Sequence, residues 1–100
     1  MSYTVIWSDR AKKTITDVIN YLREEWTEKE VNEFLDRVDD MVTTISSNPR
    51  LFRASFKRPN VHLALIHRRT YLVYQVLAPK KQIAILLFWG PKQNPKKLKY

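Results

Sequence analysis

Cysteine is absent from this 100-residue chain, and glycine occurs once, at Gly90. Without cysteine there are no disulfide staples, no thiol nucleophile and no thiolate-bound zinc or iron–sulfur cluster. Such a chain can work in a reducing compartment. A single glycine excludes a glycine-rich phosphate loop, and nucleotide-cofactor binding of that kind goes with it. Long apolar runs are missing too: the longest near the end, Ile83 to Trp89, is strand-sized and far too short to span a bilayer. Asp9, Arg10, Lys12 and Lys13 interrupt any apolar run near the start, so no secretory signal is read there and the cytoplasm is the expected location. The chain has no internal repeat and no low-complexity segment.

Acidic residues are missing from more than half of the chain. The last one is Asp40. Residues 1–48 carry 6 basic and 10 acidic side chains, a balance of −4, whereas residues 49–100 carry 12 basic side chains and no acidic one. The formal charge of +8 is therefore concentrated in one half. Such an excess steers polyanions and favours complexes with acidic proteins. An apolar fraction of 44% is enough for one packed core, and the length points to a single domain over residues 1–100.

Periodicity predicts an α+β fold. Tyr3 to Trp7 alternates as a first strand, with Tyr3, Val5 and Trp7 on one side. Ser8 is a candidate N-cap, and Ala11, Ile15, Val18, Ile19, Leu22 and Trp26 fall on one face of the helix that follows. Thr27 and Glu30 have the capping-box spacing for a second helix, whose stripe is Val31, Phe34, Leu35, Val38, Met41, Val42 and Ile45. That helix should fade at Ser46 to Asn48, before Pro49. The short connection makes the two helices an antiparallel hairpin. Residues 50–60 read as a short strand or ordered loop. Val61 to His67, Tyr71 to Leu77 and Ile83 to Trp89 read as strands, with turns at Arg69–Thr70 and Ala78 to Gln82. The expected architecture is an N-terminal strand and a two-helix hairpin packed on a mainly antiparallel twisted sheet. Residues 90–100 form a basic C-terminal tail.

Little in the acidic half suggests chemistry. Glu24, Glu25, Glu28, Glu30 and Glu33 read as helix-surface and capping residues, which makes paired-carboxylate hydrolysis and magnesium chemistry poor expectations. His62 and His67 are five apart on a strand and should point to opposite faces, so no two-histidine metal site is expected. No cofactor and no metal is implied. In the basic half, Arg68 and Arg69 stand at a strand end, where guanidinium groups can grip a phosphate or a carboxylate. Arg53, Lys57 and Arg58 form a second candidate binding group, together with Lys96 and Lys97 of the tail. Phe88 to Tyr100 (FWGPKQNPKKLKY) joins a strand end, a rigid turn, four lysines and a terminal tyrosine. Basic groups of this kind suit phosphate contact and charge stabilisation on a transferring phosphoryl group. Cleavage would still need a general base, and Lys or Tyr serves as one only with a lowered pKa.

Taken in order, these segments resemble the RelE/ParE toxins of bacterial type II toxin–antitoxin systems. The resemblance runs from YTVIWSDRAKKTITDVINYL through the helix ending before Asn48–Pro49, the basic residues preceding YLVYQV, and ILLFW followed by NPKKL. It implies a growth-inhibiting toxin neutralised by a small cognate antitoxin in a hetero-oligomer. Family members divide between poisoning of DNA gyrase and ribosome-dependent cleavage of messenger RNA. The long two-helix half and the Trp26 turn look more like the ParE side. By the resemblance, Arg68 or Arg69 matches the basic position before the tyrosine-containing strand. Lys92 stands where many relatives place an arginine, and Tyr100 matches the C-terminal tyrosine of the RNA-cleaving branch. Arg68, Arg69, Lys92 and Tyr100 are thus the candidate catalytic set. A non-enzymatic nucleic-acid-binding module or a partner-binding protein would use the same basic surface.

Overall fold

The computed structural model describes residues 2–55, 57–67 and 70–90. Its elements are β1 (Thr4–Trp7), α1 (Asp9–Glu25), α2 (Glu28–Ser47), β2 (Arg53–Ala54), β3 (Val61–His67), β4 (Thr70–Leu77) and β5 (Gln82–Trp89). A 3₁₀ turn, Ala78–Lys80, joins the last two strands. One five-stranded sheet has the order β1-β5-β4-β3-β2. β1 lies parallel to β5, and the other neighbours are antiparallel. The expected α+β architecture is the one observed, with β1 as the single parallel addition at an edge.

Ser8 starts α1 as its spacing predicts. Its Oγ accepts the Ala11 N–H at 3.0 Å and donates to the Leu86 carbonyl at 2.8 Å. One hydroxyl thereby closes a helix end and ties it to β5. Leu86 needs that partner because it is a bulge: Val73 pairs with Leu87 and Tyr74 with Ile85, leaving Leu86 unpaired between them. β1 also stops opposite Ile85, so the following backbone of β5 has no strand on that side. Thr14 fills the gap, its buried Oγ1 accepting the Phe88 N–H at 2.9 Å while donating to Arg10 O at 2.7 Å.

The main core lies between the helices and one face of the sheet. Phe34 of α2 and Phe88 of β5 are fully buried and meet edge to face at 6.5 Å, and Trp7 stacks on Phe88 at 5.5 Å. Each such ring contributes on the order of 1.5–3 kcal/mol from burial alone. Tyr3, Val5 and Trp7 all pack on this core, as strand alternation requires. Val61, Val73, Leu87 and Trp89 form a second apolar cluster on the opposite face. The near-continuous hydrophobicity of β4 and β5 follows from this two-sided burial.

Four expectations are corrected. Trp26 is not part of the α1 stripe: it is the C-cap residue, its N–H bonded to Leu22 O, and its side chain is exposed. Leu35 is exposed as well, since α2 faces the sheet through Val31, Phe34, Val38 and Ile45. Thr27 makes no side-chain cap hydrogen bond, and the Glu30 carboxylate meets His67 Nε2 at 2.9 Å. Thr70 is the first residue of β4 rather than part of a turn.

Candidate functional site

Strand direction decides where the basic residues go. β3 and β4 meet at one end of the sheet, where His67 pairs with Thr70, and β5 ends beside them, with Trp89 opposite Tyr71. The first turn of α2 sits at this end too, held by the Glu30–His67 contact. At the other end are the β2–β3 loop with Lys57 and Arg58, and the β4–β5 turn with Lys80 and Lys81. Asn60 O accepts the Val76 N–H at 2.8 Å there, which sets the two turns side by side. A seven-residue β3 separates the ends by roughly 20 Å.

Arg68, Arg69, Lys92, Lys96, Lys97 and Tyr100 lie outside the described residues. Their described chain neighbours, His67, Thr70 and Gly90, all belong to the first end. Arg53 pairs with Leu63 on β3, while Lys57 and Arg58 belong to the second end. Among the described candidates, Lys57 and Arg58 therefore stand at the end of the sheet opposite His67, Thr70 and Gly90. Lys80 and Lys81 carry no motif in the sequence, although counting strand reversals from Lys57 returns them to the same end.

Both histidines belong to the scaffold, and their predicted opposition is corrected. His62 stacks on Tyr74 at 5.4 Å, and its Nδ1 lies 2.9 Å from Phe52 O. His67 reaches α2 through Glu30. The register slips between Leu65 and His67, leaving Ile66 unpaired, and this extra residue turns both imidazoles toward the helical layer. Tyr74 is fully buried and donates to Pro49 O at 2.8 Å. Burial pushes its phenol up to about 12 from the usual 10, partly offset by a backbone hydrogen bond with Phe52. Such a group holds its proton at neutral pH and is no general base.

The opposite face of the sheet is apolar near the first end. Tyr71 is half-buried beside Trp89, and Leu65 is 55% exposed. The Trp89 indole Nε1 is buried and finds no hydrogen-bond partner among the described residues. Between α2 and β3 runs a groove of about 330 Å³ lined by Arg37, Asp40, Met41, Thr44, Phe52, Leu65 and Ile66. Arg37 Nη1 donates to the Ile66 carbonyl at 3.2 Å, satisfying the bulged residue. Among the described residues no group of three or more His, Cys, Asp or Glu is placed to hold a metal ion.

The family model for the ParE toxin of the type II toxin–antitoxin system parDE matches residues 5–95. The chain belongs to this family. No curated protein matches the ParE-family chain. Among solved structures it is similar to the chromosomal ParDE system of P. aeruginosa, at 16% identity and a TM-score of 0.70 over 87% of this chain and 94% of that one. The RelBE2 toxin–antitoxin complex of Mycobacterium tuberculosis gives 14% identity and a TM-score of 0.60 over 88% and 96%. The isolated RelE toxin of E. coli gives 15% and 0.64 over 95% and 90%. At these identities the likeness to solved structures is one of fold. No helix among the described residues of this ParE-family chain is long and apolar enough to cross a membrane.

Proposed function

We propose that this ParE-family chain is the toxin of a type II toxin–antitoxin pair, arresting growth by acting on DNA gyrase in the cytoplasm. A small cognate antitoxin would hold it inactive in a hetero-oligomer, meeting its basic surface with acidic side chains. The observation that carries the choice of gyrase over RNA cleavage is that, among the described residues, both histidines and the buried Tyr74 are engaged by the scaffold. His62 faces Phe52 O, His67 faces Glu30, and Tyr74 keeps its proton to about pH 12. Phosphodiester cleavage without a metal needs a base positioned near its working pKa. Inhibition by binding needs only a shaped and charged surface.

Purified chain is assayed in parallel for inhibition of gyrase supercoiling and for message cleavage on translating ribosomes. Loss of supercoiling with intact message is expected. Cleaved message with supercoiling unaffected would replace this reading by a ribosome-dependent endoribonuclease. Silence in both assays would leave a binding role without toxicity.

A further inference from the structure

The sheet face turned away from the helices is buried near the first end, although no described helix or strand lies over it. Both helices pack on the other face, against Ala64, Leu72, Tyr74, Ile83 and Phe88. Directly paired residues share a face, so two cross-strand rows line the outer one there. Leu63, Val73 and Leu87 form one row, and Leu65, Tyr71 and Trp89 the other. Val73 and Leu87 are fully buried. Trp89 is 9% exposed, and its Nε1 has no hydrogen-bond partner among the described residues. Side chains stand roughly perpendicular to a sheet, so neighbours within it shield their flanks and leave their tips open. Leu87 lacks even one flank, because β1 stops opposite Ile85. A cover therefore lies over β4 and β5. It ends before the edge of β3, where Leu65 is 55% exposed.

The burial is complete in a single chain, so the cover comes from the chain itself. Outside the described residues, 1 and 56 adjoin the second end, and 68–69 span only the step from β3 to β4. The ten residues after Gly90 start beside the two rows, since Trp89 pairs with Tyr71, and Gly90 is itself buried. Fully extended, ten residues reach about 33 Å, whereas neighbouring strands are only about 5 Å apart. Their sequence suits the position. Leu98 and Tyr100 alternate with Lys97 and Lys99, which gives an extended segment one apolar and one charged side. Pro91 and Pro95 bring no N–H group to strand over an apolar surface.

We infer that residues 91–100 fold back after Gly90 as a strap across β5 and β4, seating Leu98 and Tyr100 on Val73 and Leu87 and turning Lys97 and Lys99 outward. A strap carbonyl accepts the Trp89 indole N–H. Arg53 stands on the same face through its pairing with Leu63, so the strap brings the tail lysines to a face that already carries a cation. The basic tail is thereby a positioned surface and not a free appendage. A segment already folded loses less conformational entropy on meeting an anionic partner than a free one does. The inference concerns the packing of the chain on itself, and it holds for either target, gyrase or message.

The chain has no cysteine, so a Lys99→Cys variant of the full chain takes a single nitroxide label. The label broadens the NMR signals of nearby nuclei. Broadening should be strongest at the Val73 and Leu87 methyls and the Trp89 indole, and weaker at Val38 and Ile45 of α2. Uniform broadening, or broadening centred on Met41 and Thr44 in the α2–β3 groove, would overturn the strap. So would broadening of an unlabelled isotopic chain mixed with labelled chain, which would make a second copy the cover. Hydrogen exchange of the Trp89 indole N–H is the second readout. Leu98→Ser/Tyr100→Ser should speed it by about tenfold or more, since full burial of one leucine is worth more than that factor. Lys97→Gln/Lys99→Gln changes only outward charge and should stay within about twofold of wild type. Unchanged exchange in the serine variant would overturn the proposal. Should the buried Tyr74 amide accelerate equally, the serine variant is opening globally, and the label result then decides.

Discussion

Replacing Tyr74 by phenylalanine should weaken the fold at neutral pH and strengthen it in strong alkali. The ring stays in place, so packing is preserved and only the hydroxyl is lost. At pH 7 the variant forfeits the 2.8 Å hydrogen bond to Pro49 O. Pro49 is half-buried, so its carbonyl is partly rehydrated, and the cost is about 1 kcal/mol. Above pH 10 the balance reverses. An unfolded tyrosine releases its proton near 10, while the folded phenol holds its proton to about 12. Between these values the native state binds more protons than the unfolded one, and stability falls by about 1.4 kcal/mol per pH unit. The contribution is complete below pH 10 and lost as pH rises through 12, a total of roughly 3 kcal/mol. Phenylalanine has no such dependence. The two stability curves should therefore cross about one unit above pH 10, near pH 11. Urea unfolding followed by tryptophan fluorescence at several pH values from 7 to 12 measures both proteins. Other tyrosines and lysines titrate in each and cancel in the difference. A constant offset between the curves over pH 9–12 would refute the reasoning, because Tyr74 would then titrate alike in both states.

Three further substitutions check the joints of the fold. Thr14→Val leaves the Phe88 N–H buried without its acceptor and should cost about 1–3 kcal/mol in urea unfolding, whereas Thr16→Val, which also loses a bond to the preceding helical turn but is exposed, should stay within about 0.5. Ser8→Ala should lose about 1–2 kcal/mol, while Thr27→Ala, whose hydroxyl caps nothing, should be nearly silent in the same melt. Glu30→Gln and His67→Asn, alone and together, should show a coupling of about 0.5–3 kcal/mol in a double-mutant cycle. Strict additivity would mean that their 2.9 Å contact contributes nothing.

Regular periodicity made most of this fold legible. Alternation in Tyr3 to Trp7 placed β1, the stripe through Phe34 and Val38 placed α2, and the apolar runs around Val73 and Ile85 placed a doubly covered pair of strands. Bulges broke the prediction where it failed. An extra residue at Ile66 reverses alternation locally, so five-residue spacing no longer sends His62 and His67 to opposite faces. Nothing local in the segment marks it. Glu30 has the spacing of a cap residue, yet a histidine 37 positions away takes its carboxylate. The candidate site was legible as charge and not as place. Residues 57–58 and 80–81 share one end because two strands separate them, and the single β3 carries the chain from Arg58 to His67 at the other.

β1 joins β5 through contacts that bridge almost the full chain, with Ser8 Oγ to Leu86 O spanning 78 positions. On a ribosome adding about 5–20 residues per second, the first strand therefore waits roughly 4–16 s for its sheet neighbour β5 to be made. The helical hairpin emerges in the meantime with its apolar face uncovered. A nascent or truncated chain that stops before Gln82 has no way to close the sheet, and it exposes Phe34, Val38 and Ile45 to whatever chaperone or protease meets it first. Completion of the domain is thus set late in synthesis, by the arrival of its last strand.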